Sequence, residues 1–262
     1  MGKLKVIAIS DLHGNLDFNV NEADVLCICG DIVPLIHQRP PSTRKFTIDK
    51  TTSKENIKLF ESLNKGIDES YERWRLYNIS WINDEFIPWC DKQPVKKIFL
   101  IAGNHDFIFE KEGKEYSKKL FDDTKIEYLE DEETTYGGIK IYGSPWCHQF
   151  GPWAFMDCDD KLSNYFSNIP ENIDILLTHD APYGRDDVLL ESQYHMNKGH
   201  IGNRPLVNAL EKLINPPSLH FTGHLHSCNH EMEVFGKFTY TVCVSLLNEE
   251  YKMVYKPFEI EV

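Results

Sequence analysis

The chain has 262 residues, 41% of them hydrophobic and 12% aromatic, enough to bury a sizeable core. No apolar run approaches the ~18 residues a membrane span needs. A formal charge of −13 speaks against a surface that tracks a nucleic-acid backbone, so extended nucleic acid is not an expected partner. A small anion held by a local metal charge stays compatible with that balance.

The first β-rich run, Leu4 to Ser10, ends in Asp11-Leu12-His13. Its apolar part is too short for a signal peptide, and Val6 stands where an N-myristoylation pattern wants Ser or Thr, so a cytoplasmic protein without membrane attachment is expected. A second run, Asp24 to Gly30, leads into Asp31 and carries Cys27 and Cys29 on one side. Two cysteines so placed read as small buried hydrophobes, and the odd total of seven fits a reducing compartment. An insertion around 34–90 opens with Pro34, Pro40 and Pro41, a surface excursion or a lid. It closes with a helix from Tyr71 to Trp89, where Trp74, Tyr77, Trp81, Ile82, Phe86 and Trp89 form one apolar stripe.

Lys97 to Ala102 then runs into Gly103-Asn104-His105-Asp106, Gly138 to Gly143 is a further strand, and Ile173 to Thr178 runs into His179-Asp180. Pro205 opens a helix with Leu206, Ala209, Leu210 and Leu213 on one face. Leu219 to Thr222 leads into Gly223-His224-Leu225-His226, and Glu231 to Val234, Phe238 to Leu247 and Tyr251 to Tyr255 read as an antiparallel β tail. Strand–helix alternation without a linker or composition break predicts α/β layers in a single domain over 1–262.

Five strands thus deliver metal-capable side chains at their carboxyl ends, the edge where open α/β sheets bind ligands. Each piece alone is weak. Gly-Asp is a common turn, and a lone histidine is usually a hydrogen-bonded one. The last piece has its own alternative, a zinc cluster of His224, His226, Cys228 and His230, which leaves the other four strand ends unexplained. Together the donors are carboxylate, amide and imidazole, the set for two hard-to-borderline divalent ions. Two such ions ~3.5–4 Å apart clamp a phosphoryl group and supply a bridging hydroxide as nucleophile.

This ordered series resembles the signature of the calcineurin-like metallophosphoesterase superfamily, spread here from Asp11 to His226. The resemblance implies a four-layer αββα sandwich of two mixed β-sheets flanked by helices. By position it implies that Asp11, His13 and His226 hold one metal, that Asn104, His179 and His224 hold the other, and that Asp31 bridges them. His105 is then the catalytic histidine, and Asp106 either orients its imidazole or is a loop carboxylate that caps backbone. Mn2+ is the first expectation for both ions, with Fe, Zn or Ni as alternatives. Three further features, His179-Asp180-Ala181-Pro182, Gly199-His200-Ile201-Gly202 and Val244-Ser245-Leu246-Leu247-Asn248, are similar to small metallophosphoesterase-domain proteins related to class III cyclic-nucleotide phosphodiesterases. Arg185 and His200 are candidate substrate contacts, with a solvated arginine and a loop histidine as the favoured alternative. The implied activity is hydrolysis of a phosphodiester or phosphomonoester. A protein-binding scaffold on the same fold and a nuclease of the same superfamily stand as alternatives.

Overall fold

The computed structural model describes residues 3–49, 52–185, 187–188, 199–236 and 239–262, apart from the side chains of His37, Glu55 and Phe235. In chain order the strands of the first half are β1 (Lys5–Ile9), β2 (Ala23–Cys29), β3 (Val95–Ile101), β4 (Ile126–Tyr128), β5 (Glu132–Tyr136) and β6 (Ile139–Ser144). Those of the second half are β7 (Cys147–His148), β8 (Met156–Asp157), β9 (Ile175–Thr178), β10 (Leu219–Thr222), β11 (Glu233–Phe235), β12 (Thr239–Cys243) and β13 (Phe258–Glu261). The helices are α1 (Lys54–Trp81), α2 (Ile87–Lys92), α3 (Phe107–Glu112), α4 (Lys114–Lys119), α5 (Asp159–Phe166) and α6 (Arg204–Leu210). Among the described residues no helix is long and apolar enough to cross a membrane.

Period-two alternation in strands buried on both faces sets the layers. In β1, β2 and β3 the residues Ile7, Ile9, Leu26, Ile28, Ile98 and Leu100 face one core with Trp74, Ile82, Phe86 and Trp89 of the helical insertion. Their neighbours Val6, Ala8, Val25, Cys27, Cys29, Phe99 and Ile101 face a second core, shared with Ile141, Ile175, Leu177, Phe221 and Val242 of the other sheet. Cys27 and Cys29 do lie on the same side as buried apolar groups. On the outer face of that other sheet, Tyr142 and Leu176 pack under Leu162 and Phe166 of α5 and Leu206 and Leu210 of α6. The result is the expected helix–sheet–sheet–helix stack of two mixed sheets, ordered β13-β1-β2-β3-β4 and β11-β12-β10-β9-β6-β5.

Two expectations need correction. The apolar stripe from Tyr71 to Trp89 is α1 and α2 joined by a π turn over Ile82–Phe86, and Tyr77 stays exposed. Pro88, in the first turn of α2, has no N–H for the regular ladder, and a π turn absorbs the mismatch. The antiparallel tail shrinks to β11 on β12. β12 itself runs parallel to β10, Leu247 and Met253 form a lone bridge, and β13 returns to pair antiparallel with β1. Phe238, where the predicted tail strand began, lies outside the described residues. After β12 the chain crosses between the sheets: Val244 faces the inter-sheet core, while Leu246 and Leu247 join the helix-side core. Ser245 bridges to Ser10 at the crossing.

Candidate metal centre

The carboxyl ends of β1, β2, β3, β9 and β10 bring their turns together at one edge. Four of the donors sit in the left-handed backbone region, Asp11 at φ 58°, His13 at 44°, Asp31 at 55° and His224 at 69°. Such residues are strained and cluster at functional sites. The turns hold one another: Asp11 N–H donates to Gly30 O at 3.0 Å and His13 N–H to Asp31 O at 2.9 Å. His224 N–H donates to Asp11 Oδ2 at 2.9 Å, and Ser245 Oγ donates to the same carboxylate oxygen. Gly103 and Gly223 are required by close approach. A Cβ at Gly103 would lie 2.6 Å from the Asp31 nitrogen and from His179 Cε1, and one at Gly223 would lie 2.8 Å from Asp11 Oδ2.

Three overlapping groups of donors result. Asp11, His13 and His226 place one ligand atom each within 4.8 Å of the others, as do Asp11, Asp31 and His179, and also His13, Asp31 and His105. His226 Nε2 is 3.3 Å from Asp11 Oδ1 and His179 Nε2 is 3.3 Å from Asp31 Oδ2. Asn104 Oδ1 lies 2.9 Å from His179 Nε2, and the His224 ring stands beside that of His179, centroids 5.3 Å apart. Asp31 Oδ2 is also 3.7 Å from His13 Nε2 and 3.8 Å from His105 Nε2, so it lies between the groups.

The residues fit metal ions on their own evidence. Both ring nitrogens of His13 and the side-chain nitrogen of Asn104 are buried without a hydrogen-bond partner. An unpaired buried polar group is costly, and coordination would remove that cost for the imidazole. The charges agree. Burial opposes ionisation of Asp11 and Asp31, yet the surrounding imidazoles hold both carboxyls well below the usual range. Burial would lower His179, but the charge and hydrogen bond of Asp31 lift it to about 10. Asp11 lifts His226 to about 9 against the same burial. Burial pushes His13 and His224 down to about 4.

With this geometry in hand, residues 4–228 match the family model described as calcineurin-like phosphoesterase. The chain belongs to that family. Among curated relatives of this chain, the human "Metallophosphoesterase domain-containing protein 1" is 29% identical over 198 residues, 68% of this chain and 58% of that protein. A "UPF0046" protein of Caenorhabditis elegans is 28% identical over 182 residues, 64% of this chain and 63% of that one. The match thus spans under two thirds of those relatives' own length. One crystal structure superposes with a TM-score of 0.59 over 92% of this chain and 90% of that one at 16% identity, a likeness of fold.

The seven residues expected to bind metal and His105 all come together at this edge; the other three expected site residues are placed differently. Asp106 does not orient His105. Its carboxylate accepts N–H groups from Asp31 (2.8 Å), Gly103 (2.9 Å), Ile32 and Val33 (both 3.0 Å), while His105 Nδ1 has no hydrogen-bond partner. Burial and the charge of Asp31 push the Asp106 carboxyl up to about 7, and four N–H donors work against that by favouring the ionised form. Arg185 and His200 lie away from the centre, lining a different cavity with Asp187 and Glu233. Arg185 is committed to the carbonyls of Val234 and Gly184 and His200 to Asp187 at 2.6 Å.

The cleft over the metal centre holds about 190 Å³ and is walled instead by Gln38, Phe150, Trp153, Glu249 and Tyr251, with Asp31, Asn104, His105, His224 and His226 at its floor. Sequence reasoning missed these walls because they come from three separate loops with no spacing in common. Trp153 packs on His105 with ring centroids 4.3 Å apart and carries the Arg39 guanidinium 3.6 Å above its own ring. Asp180, beside the lone histidine, accepts from His148 N and Asn203 Nδ2 and pairs with the His148 ring at 2.8 Å. Its place next to His179 was the one available signal.

Proposed function

We propose that this calcineurin-like phosphoesterase hydrolyses a phosphodiester, with a phosphomonoester as the second choice, using two divalent ions, Mn2+ first among them. The observation that carries this is Asp31, whose Oδ2 lies between His13 and His179 at 3.7 and 3.3 Å, where one carboxylate could serve two ions. Asp11, His13 and His226 would hold one ion, and Asn104, His179 and His224 the other. When bound, such ions polarise the phosphoryl oxygens and make water nucleophilic near neutral pH.

The chain's own residues do the rest. His105 is half-buried on the cleft floor, and its Nε2 faces the Asp31 carboxylate at 3.8 Å. From there it is placed to hydrogen-bond a phosphoryl oxygen and to pass a proton to the leaving alcohol. Trp153 keeps the imidazole plane fixed by ring contact. Phe150, Trp153 and Tyr251 narrow the approach and give the alcohol portion an apolar surface.

The test is turnover of bis-p-nitrophenyl phosphate with Mn2+, set against chelator-treated protein and an Asp31→Asn variant. Activity that needs the metal and disappears in the variant supports the reading. Metal-loaded protein inert on panels of both diesters and monoesters would sink it.

A further inference from the structure

The candidate zinc cluster of His224, His226, Cys228 and His230 does not hold as one unit. His226 faces Asp11 and His224 stands beside His179. Cys228 and His230 instead meet Cys243, at the end of β12, thirteen residues further along than His230. The two sulfurs and one imidazole nitrogen lie within 4.8 Å of one another. Both cysteines are only 2% exposed, and neither is in a disulfide.

We propose that Cys228, His230 and Cys243 form a third metal site, separate in chemistry from the oxygen- and nitrogen-rich pair, that takes a soft or borderline ion such as Zn2+. Two thiolates and a neutral imidazole match that class of ion, which the carboxylate-bearing groups do not. Two thiolates also balance a divalent charge, so the buried site carries no net charge to desolvate. Size agrees as well: zinc–sulfur bonds of about 2.3 Å in a tetrahedron put two sulfurs about 3.8 Å apart. The observed limit of 4.8 Å therefore asks for a closure of at most about 1 Å, a small torsion of short side chains.

The surroundings favour such an ion. His230 sits in the left-handed region at φ 55° and stacks on Tyr255, centroids 3.5 Å apart. Its ring Nε2 hydrogen-bonds to the His226 carbonyl at a long 3.3 Å. One nitrogen can turn to a metal while the other keeps a carbonyl, the usual support of a ligating imidazole. Cys243 Sγ–H donates weakly to Leu225 O at 3.4 Å and Gly223 O at 3.8 Å, bonds that the thiolate would exchange for the ion. An ion held there ties β12 to the loop that presents His224 and His226, fixing two donors of the phosphoesterase centre without touching substrate.

The experiment is cobalt titration of the metal-free, reduced full chain, followed by absorption spectroscopy and metal analysis. The expected result is three bound equivalents, one of them bringing sulfur-to-cobalt charge-transfer absorption. The double variant Cys228→Ser/Cys243→Ser should bind two equivalents and lack that absorption, while Cys158→Ser, at the one exposed cysteine, should keep it. Because the wild-type spectrum already reads sulfur ligation, a double variant that misfolds leaves the proposal testable. Two equivalents without charge transfer in wild type overturn it, as does absorption that persists in the double variant or vanishes in Cys158→Ser. A reading of this kind stands or falls apart from phosphoesterase turnover, which the spectrum does not measure.

Discussion

Replacing Asp106 by Asn separates two roles that its position beside His105 leaves confounded. Each carboxylate oxygen accepts two backbone N–H groups, Oδ1 from Ile32 and Val33 and Oδ2 from Asp31 and Gly103. The side chain is fully buried. Asn has one acceptor oxygen of this kind, so its NH2 must face two of the four donors. Each buried donor left without a partner costs about 1–3 kcal/mol, giving roughly 2–6 kcal/mol for the pair. That is a large share of the ~5–15 kcal/mol of a typical fold. At about 2–4 °C per kcal/mol for a chain of this size, the melting midpoint should fall by on the order of 10 °C.

The donors belong to the turns that hold Asp31 and precede Asn104, so metal affinity should drop with stability. Thermal unfolding of the metal-free protein, followed by metal analysis, reads both quantities. A midpoint unchanged within about 1 °C, with metal retained and turnover lost, would refute the capping argument and return Asp106 to the service of His105.

Three further outcomes follow from the same geometry. His105→Gln should lower kcat on a diester by about 10²–10⁴ while both ions stay bound; loss of an ion would make His105 a ligand. In metal-free protein near pH 7 the imidazoles of His179 and His226, lifted to about 10 and about 9, are protonated, so filling the centre should release about two protons. Metal affinity must then weaken as pH falls from 9 to 6, since the ions compete with those protons; calorimetry in buffers of different ionisation enthalpy counts them, and a pH-independent affinity would contradict the assignment. Gly223→Ala pushes a Cβ to within 2.8 Å of Asp11 Oδ2 and should cost about 1–3 kcal/mol and empty the half of the centre that uses Asp11, as metal analysis will show.

The layers of the fold were legible because strands buried on both faces write themselves as apolar runs, and the gathering of the candidate donors because each follows such a run at once. What could not be read was anything decided by contacts between distant loops. Asp106 could be read as a partner for the imidazole next to it or as a backbone cap, and only the N–H groups of residues 31–33, more than seventy positions earlier, decide for the cap. Arg185 carries no mark in sequence that its guanidinium is tied to Val234 O. Trp153 and Tyr251 reach the cleft from loops whose composition is ordinary. The tail misled for a related reason: Leu246 and Leu247 are apolar because the chain crosses to the other core, and alternation cannot distinguish a crossing from a longer strand.

Strain explains why these turns hold their shape before any ion arrives. Four donors with positive φ each carry about 1–3 kcal/mol of backbone strain, more than free loops would keep. The strain is offset because every strained turn is also the partner of another: Asp31 O receives His13 N–H, Asp11 receives His224 N–H and Ser245 Oγ, and Asp106 fixes the turn of Asp31. The charges are likewise satisfied in advance, since the lifted imidazoles of His179 and His226 pair with Asp31 and Asp11. Metal binding would then exchange protons for ions at positions already set. A centre built this way spends little of its metal affinity on ordering the chain, and substitutions that loosen the turns, at Asp106 or Gly223, should weaken metal binding even though neither residue touches an ion.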